Sequence, residues 1–63
     1  MKLLDVSQLS AMLNVKKKTI YDWVHKGKIP YLKLGGLLRF DPTDIDQWLK
    51  KKKHKKKSWK NFV

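Results

Sequence analysis

Between residues 50 and 63 of this 63-residue chain lie eight lysines and no acidic residue. Like charges at that density repel one another and resist packing, so this stretch is expected to be solvated and at most partly helical. Folding must therefore be accomplished within residues 1–49, where eight basic residues accompany five acids, all of them Asp. The chain divides into a nearly balanced body, residues 1–49 with a net charge of +3, and a polybasic tail, residues 50–63 with +8. A body of this size holds one domain and buries only roughly 60% of its unfolded surface, which excludes a two-domain enzyme or a large enclosed cavity. The absence of cysteine excludes a disulfide framework, a thiol redox pair and a Cys-based zinc site. Apolar runs reach only three or four residues, too short for a membrane span or a signal-peptide core, so the expectation is a cytoplasmic protein with no membrane partner. The total charge of +11 favours a polyanion as partner but says nothing about fold.

Within the body the local signals are dense. Asp5 followed by Gln8 has the spacing of a capping box, and Leu4 with Leu9 has that of a hydrophobic staple. Val6, Leu9 and Leu13 fall on one helical face, and Asn14 tolerates the left-handed conformation that ends a helix. A first helix over residues 6–13 follows. Ile20, Trp23 and Val24 form the stripe of a second helix, stopped by Gly27 and favoured at its end by His25 and Lys26. The start of that helix breaks the local rules. Lys16, Lys17 and Lys18 sit at the positive end of the helix dipole and none can act as an N-cap, a penalty of a few tenths of a kcal/mol per charge. A phosphate at that point reverses the sign of the penalty, by accepting free backbone N–H groups and pairing with the lysines. The bland alternative is a solvated lysine cluster.

Residues 29–40 read as a β-hairpin about Gly35 and Gly36, with Leu34 opposite Leu37, Leu32 opposite Arg39 and Tyr31 opposite Phe40. Pro30 is tolerated only at the start of the first strand. Tyr31, Leu38 and Phe40 are expected to face inward and Arg39 outward. Asp41 and Pro42 then open a third helix with Ile45, Trp48 and Leu49 as its buried stripe, and the lysines from Lys50 onward complement its C-terminal end. The expected fold is mostly α with a small β-hairpin. Its order of helix, tight turn, helix, hairpin and helix describes a winged helix-turn-helix.

The residues that carry this pattern also resemble a known family. Leu4-Asp5-Val6-Ser7-Gln8-Leu9 and Thr19-Ile20-Tyr21-Asp22-Trp23-Val24-His25-Lys26-Gly27-Lys28-Ile29-Pro30 are similar to the helix-turn-helix of the excisionase-family DNA-binding domain, a MerR-like winged helix-turn-helix. Lys33-Leu34-Gly35-Gly36-Leu37-Leu38-Arg39-Phe40 looks like its wing, and residues 41–49 look like its closing helix. The resemblance covers residues 3–49. It implies sequence-specific binding of double-stranded DNA, with the second helix in the major groove and the wing on the adjacent minor groove or backbone. In role it implies an excisionase or recombination directionality factor of a mobile element, or a small transcription regulator built on the same module. For the former it implies cooperative binding of further copies to neighbouring sites, bending of the DNA and recruitment of an integrase of the tyrosine recombinase class, in a prokaryotic or phage, nucleoid-associated setting. The chain departs from the family where Lys16 replaces the usual Ser or Thr cap, Asn14 a Gly, Asp22 a common basic residue and Leu37 a frequent polar or basic wing-tip residue.

The candidate DNA-binding residues follow from these positions. On the second helix they are Lys16, Lys17, Lys18, Thr19, Tyr21, Asp22, His25 and Lys26. Lys18 is the first candidate for a base contact, to guanine O6 or N7. Lys17, Tyr21 and His25 can reach bases or phosphates, while Lys16 and Lys26 read as phosphate contacts that fix orientation. Thr19 can bind a phosphate or satisfy the uncapped helix start through its hydroxyl. Asp22 can accept from a cytosine amino group, or pair with Lys18 or Lys26 at helical spacing. On the wing the candidates are Lys33, Gly35, Gly36 and Arg39. The planar guanidinium of Arg39, the sole arginine, suits a narrow minor groove or a bidentate phosphate contact, against a salt bridge to Asp41 or Asp44 as the alternative. In the tail the candidates are Lys50, Lys51, Lys52, Lys53, Lys55, Lys56 and Lys57.

Trp23 and Trp48, beside Ile, Val and Leu at helical spacing, read as core anchors rather than stacking platforms. Trp59 and Phe62 follow the lysine run and can pack on the body, on a partner or near DNA. His25 and His54 stand apart from each other and from any Cys or Glu, so neither a metal nor another cofactor is expected. No nucleophile has a visible means of activation, and the reading is a non-enzyme. A basic RNA-binding protein fits the tail but leaves the capped helices and the wing without a purpose. A membrane-active peptide is a poor fit, because the charge is segregated at one end rather than spread along an amphipathic helix.

Overall fold

A computed structural model describes residues 2–53. The elements occur in the order α1 (Val6–Leu13), α2 (Lys17–His25), β1 (Leu32–Leu34), β2 (Leu37–Arg39) and α3 (Pro42–Lys52). His54, Lys55, Lys56, Lys57, Trp59 and Phe62 lie outside the described residues.

The first helix begins where its sequence says it should. The Asp5 carboxylate accepts from the Gln8 N–H at 2.7 Å, and the Asp5 N–H donates to Gln8 Oε1 at 3.0 Å. Two of the N–H groups that a helix start leaves without partners are satisfied in this way. At the other end Asn14 takes the left-handed conformation, with φ of 57°. The Val15 N–H donates to the Ser10 carbonyl at 3.1 Å, and the Ser10 hydroxyl donates to the Val15 carbonyl at 2.6 Å. Ser10 thus clasps the turn of residues 14–16 from both sides, and α2 leaves that turn in a defined direction.

The end of α2 is a Schellman motif about Gly27, whose φ is +66°. The Lys28 N–H bonds the Trp23 carbonyl at 2.8 Å and the Gly27 N–H bonds the Val24 carbonyl at 3.0 Å. The Lys28 carbonyl accepts in turn from the Trp48 indole N–H at 2.8 Å. The rings of Trp23 and Trp48 lie 5.5 Å apart at 59°, within the range favoured by tilted aromatic pairs. The far end of the second helix is therefore pinned to α3. Both tryptophans are half-buried and pack on the core.

The hairpin has the register that its sequence suggests, with Leu34 opposite Leu37 and Leu32 opposite Arg39. Gly35 and Gly36 have φ of +55° and +93°, the pair of positive values that a type I′ turn requires. One expectation does not survive. Tyr31 is not paired with Phe40 and does not face inward; its side chain is 42% exposed. Phe40 instead exchanges two backbone hydrogen bonds with Leu4, each 2.9 Å long. Those bonds lie on the edge of the strand away from β1, so the N-terminal segment joins the hairpin on its other side, while the ladder begins only at Leu32 and leaves Tyr31 outside it.

Asp41 caps α3 by accepting from the Thr43 N–H at 2.9 Å, with Pro42 as the first helical residue. Of its expected stripe, Ile45 is fully buried and Trp48 half-buried, but Leu49 is 40% exposed. Leu49 is not among the side chains that pack on the core. The helix continues through Lys52, whose ammonium stands 5.5 Å from the centre of the Trp48 ring. The first turn of the lysine run thus belongs to α3, where its charges face the negative end of the dipole.

Six residues make the buried core: Val6 and Leu9 from α1, Ile20 from α2, Ile29 from the connection, Phe40 beyond β2 and Ile45 from α3. Phe40 is the largest of them and is wholly inaccessible to solvent. Replacing it with Ala is expected to cost about 3–5 kcal/mol, a large part of the stability of so small a domain. Urea unfolding checks this, and a midpoint close to wild type would remove Phe40 from the role of anchor.

Candidate nucleic-acid interface

The exposed face of α2 and the inner flank of the hairpin enclose an open groove of about 880 Å³. Lys18, Tyr21, Asp22 and His25 line it from α2, and Lys33, Gly36, Leu37, Leu38 and Arg39 from the hairpin. The N-terminal end of α1 closes one side with Asp5, Val6 and Ser7. Residues from three separate parts of the chain are brought to one concave surface because α2 is held at both ends and the hairpin is tied to Leu4.

The charge in this groove is set by where the acids go. Among the described residues every Asp has an internal task. Asp5 and Asp41 cap α1 and α3, and Asp44 lies in the first turn of α3. Asp22 pairs with Lys26 at 3.2 Å and Asp46 with Lys50 at 3.3 Å. Both pairs are exposed, and each contributes about 0.3–0.5 kcal/mol at most. Lys16, Lys17, Lys18, Lys33 and Arg39 have no acidic partner among the described residues. Of the two roles open to Asp22, it takes the ion pair with Lys26, from the groove wall itself. The alternative salt bridge of Arg39 to Asp41 or Asp44 is not formed. The Arg39 guanidinium donates to the Leu38 carbonyl at 2.8 Å, which folds the half-buried side chain along its own strand and into the groove wall.

The remaining candidates stand outside the groove lining. Lys16 is the N-cap residue of α2 and makes no side-chain cap bond, so the helix start is as bare as its sequence suggests. Lys17 is exposed and Thr19 half-buried in the first turn beside it, and the exposed Lys26 marks the other end of the helix. Gly35 occupies the hairpin tip. Lys50, Lys51, Lys52 and Lys53 are exposed in the last turn of α3 and at its C-cap. Lys55, Lys56 and Lys57 belong to the residues not described. Sequence reasoning did not include Ser7, Leu37 or Leu38 in the site. Ser7 enters because α1 begins beside α2, a long-range proximity with no local signal, while Leu37 carries a signal of its own as an unusual apolar wing tip.

Residues 3–53 match the family model of the helix-turn-helix domain. The chain belongs to that family. Neither the curated proteins nor the solved structures contain a match to it. Helix-turn-helix domains place their second helix in the major groove of duplex DNA, with its N-terminal residues against base edges. Duplex DNA is accordingly the partner. No described helix is long and apolar enough to cross a membrane.

The bare start of α2 has a measurable consequence. Lys16→Asp supplies the missing N-cap and is expected to stabilise the fold by about 1 kcal/mol, or roughly 4–8 °C in Tm. The same change removes a cation from the start of α2 and should weaken duplex binding. Calorimetry and gel shift on one preparation check both, and a variant that binds as tightly as wild type would show that Lys16 does not face phosphate.

Proposed function

We propose that this protein recognises a specific duplex sequence by setting α2 in the major groove and the hairpin on the adjacent minor groove, and that it serves a mobile element as an excisionase or recombination directionality factor. The observation that carries the DNA-binding geometry is the groove between α2 and the hairpin. A major groove and its neighbouring minor groove are separated by one sugar-phosphate strand, and a clamp over that strand needs a cationic concavity between its two arms. Lys18 on one arm with Lys33 and Arg39 on the other supply it. Lys18 faces the groove near the N-terminal end of α2, the position from which guanine O6 and N7 are read. Lys16, Lys17 and Thr19 hold flanking phosphates and Arg39 enters or borders the minor groove. The polybasic tail adds affinity without sequence information. The protein works as a cytoplasmic binding module, with no chemistry of its own. The recombination role, with integrase and further copies on neighbouring sites as partners, is supported by the resemblance of residues 3–49 to the excisionase-family domain.

Selection from a randomised duplex pool tests the reading. One enriched sequence is expected, and Lys18→Ala should narrow the preference for it over random duplex by about 1–3 kcal/mol. An undiminished preference takes Lys18 off the bases. Footprinting on the attachment-site DNA of the element that encodes the protein separates the roles. Protection beside the recombinase sites is expected, and protection confined to a promoter points to a transcription regulator instead.

The tail is tested by truncation after Lys53, which keeps α3 whole and removes four lysines. The slope of log K against log salt should fall by up to about 0.9 for each phosphate no longer neutralised, for specific and random duplex alike. A slope equal to that of the full chain means that these lysines do not neutralise phosphates.

A further inference from the structure

The hairpin carries an unexpected load for an arm of a DNA clamp. Leu34 and Leu37 stand opposite each other across the glycine turn, at the very tip, and are 48% and 56% exposed. Strand alternation puts Leu32 on the same face, also exposed, while Lys33 and Leu38 occupy the other face, where Leu38 packs on the core. Exposing three leucines on so short a ribbon gains nothing for folding. Water contact with this face is an unfavourable state that binding can relieve.

The position of the pair identifies what covers it. Leu37 lines the cationic groove together with Lys33 and Arg39, so the apolar tip is continuous with the surface that meets the phosphates. A protein surface docked on the leucines would compete with the duplex for the same ribbon. A minor groove does not: its walls are phosphates, which Lys33 and Arg39 match in charge, and its floor is the polar edges of stacked base pairs, whose apolar faces are reached by a side chain that enters between them. Leucine is among the residues that other minor-groove proteins push between base steps. The turn itself helps, because Gly35 and Gly36 have no side chains to hold the tip away from the groove floor, and no atom lies within 4 Å of where their Cβ atoms would be.

We propose that Leu34 and Leu37 form an apolar wedge that enters the minor groove and partly unstacks one base step beside the site read by α2. The wedge rests on the DNA-binding reading above. It assigns the hairpin tip a task distinct from phosphate contact, and it favours a flexible pyrimidine–purine step at the insertion point, since such steps unstack most readily.

The test uses the full chain and the duplex enriched by selection, with 2-aminopurine placed in turn at each adenine under and beside the site. Wild type should raise the fluorescence several-fold at one position, the signature of broken stacking. In Leu34→Ala/Leu37→Ala that rise should fall to the level of free duplex, with gel-shift binding retained within about ten-fold, because both side chains are exposed and neither supports the core. Leu37→Lys should bind at least as tightly as wild type and also abolish the rise. If either variant binds and unstacks the base as wild type does, the wedge is overturned while DNA recognition stands. The same holds if wild type binds its selected duplex with no rise at any adenine. If the leucine variants change only the number of protein copies bound per duplex, the tip is a protein contact and the wedge is likewise overturned. Failure of wild type to enrich or bind any duplex removes the DNA-binding reading, and the wedge falls with it.

Discussion

The fold depends on Phe40 being buried at the point where the hairpin returns to the helices. A two-stranded ribbon of three-residue strands is not stable alone in water. Here its return strand ends in a side chain wholly inside the core, with its backbone N–H and carbonyl both bonded to Leu4. One residue thus closes three structural relations. It joins the wing to the N-terminal segment, it brings that segment to the start of α1, and it presents a ring to the residues donated by the other elements. Because α2, the Ile29 connection and α3 each contribute a single buried side chain, no element can shift without opening the core. A domain this small tolerates little slack, and the tightness is what holds the groove walls at a fixed separation.

The position of α2 is determined at its two ends by different means. Its start is oriented by Ser10 and Val15, which lock the turn after α1, and its end by the Schellman motif whose Lys28 carbonyl accepts from Trp48. These ties leave Lys17, Lys18, Tyr21 and His25 exposed. The helix is tied at both ends, and the side chains proposed to select a sequence are not engaged in holding it.

What was legible in the sequence was what local geometry decides. The capping box of Asp5 and Gln8, the left-handed Asn14, the Gly27 stop, the glycine turn and the Asp41 cap each act within a few residues, and each forms as its spacing implies. The outcomes that could not be read all involve partners far away in the chain. Tyr31 is exposed outside a ladder that begins at Leu32, while Phe40 is bonded to Leu4 on the other edge of its strand. Leu49 is exposed and not among the side chains packed on the core, a property of the assembled packing and not of the helix pattern. Ser10 and Lys28 become clasps only once the turns they close exist. In the site, the candidates on α2 and the wing were assigned by position in the motif, and the structure brings seven of them, Lys18, Tyr21, Asp22, His25, Lys33, Gly36 and Arg39, to a common groove. It also resolves Asp22 into an ion pair with Lys26 and directs Arg39 to its neighbour's carbonyl, two outcomes between which spacing alone did not choose.

The five aspartates explain how a body of net charge +3 leaves Lys16, Lys17, Lys18, Lys33 and Arg39 without acidic partners among the described residues. Asp5, Asp41 and Asp44 serve helix starts, and Asp22 and Asp46 lie one turn before the lysines they pair with. Negative charge is thereby placed where helix dipoles and lysines at the C-terminal side of a helix absorb it. α2 has no such acid in its first turn and no side-chain cap. Of the three helix starts among the described residues it alone carries lysines where the others carry carboxylates, and it begins the helix proposed to read DNA. A cap there would satisfy the orphan N–H groups permanently and remove the incentive for a phosphate to do so. Leaving them bare costs the isolated domain some stability, and in the proposed complex a phosphate at that point would offset the cost, so the same residues that weaken the fold would strengthen the discrimination between bound and unbound states.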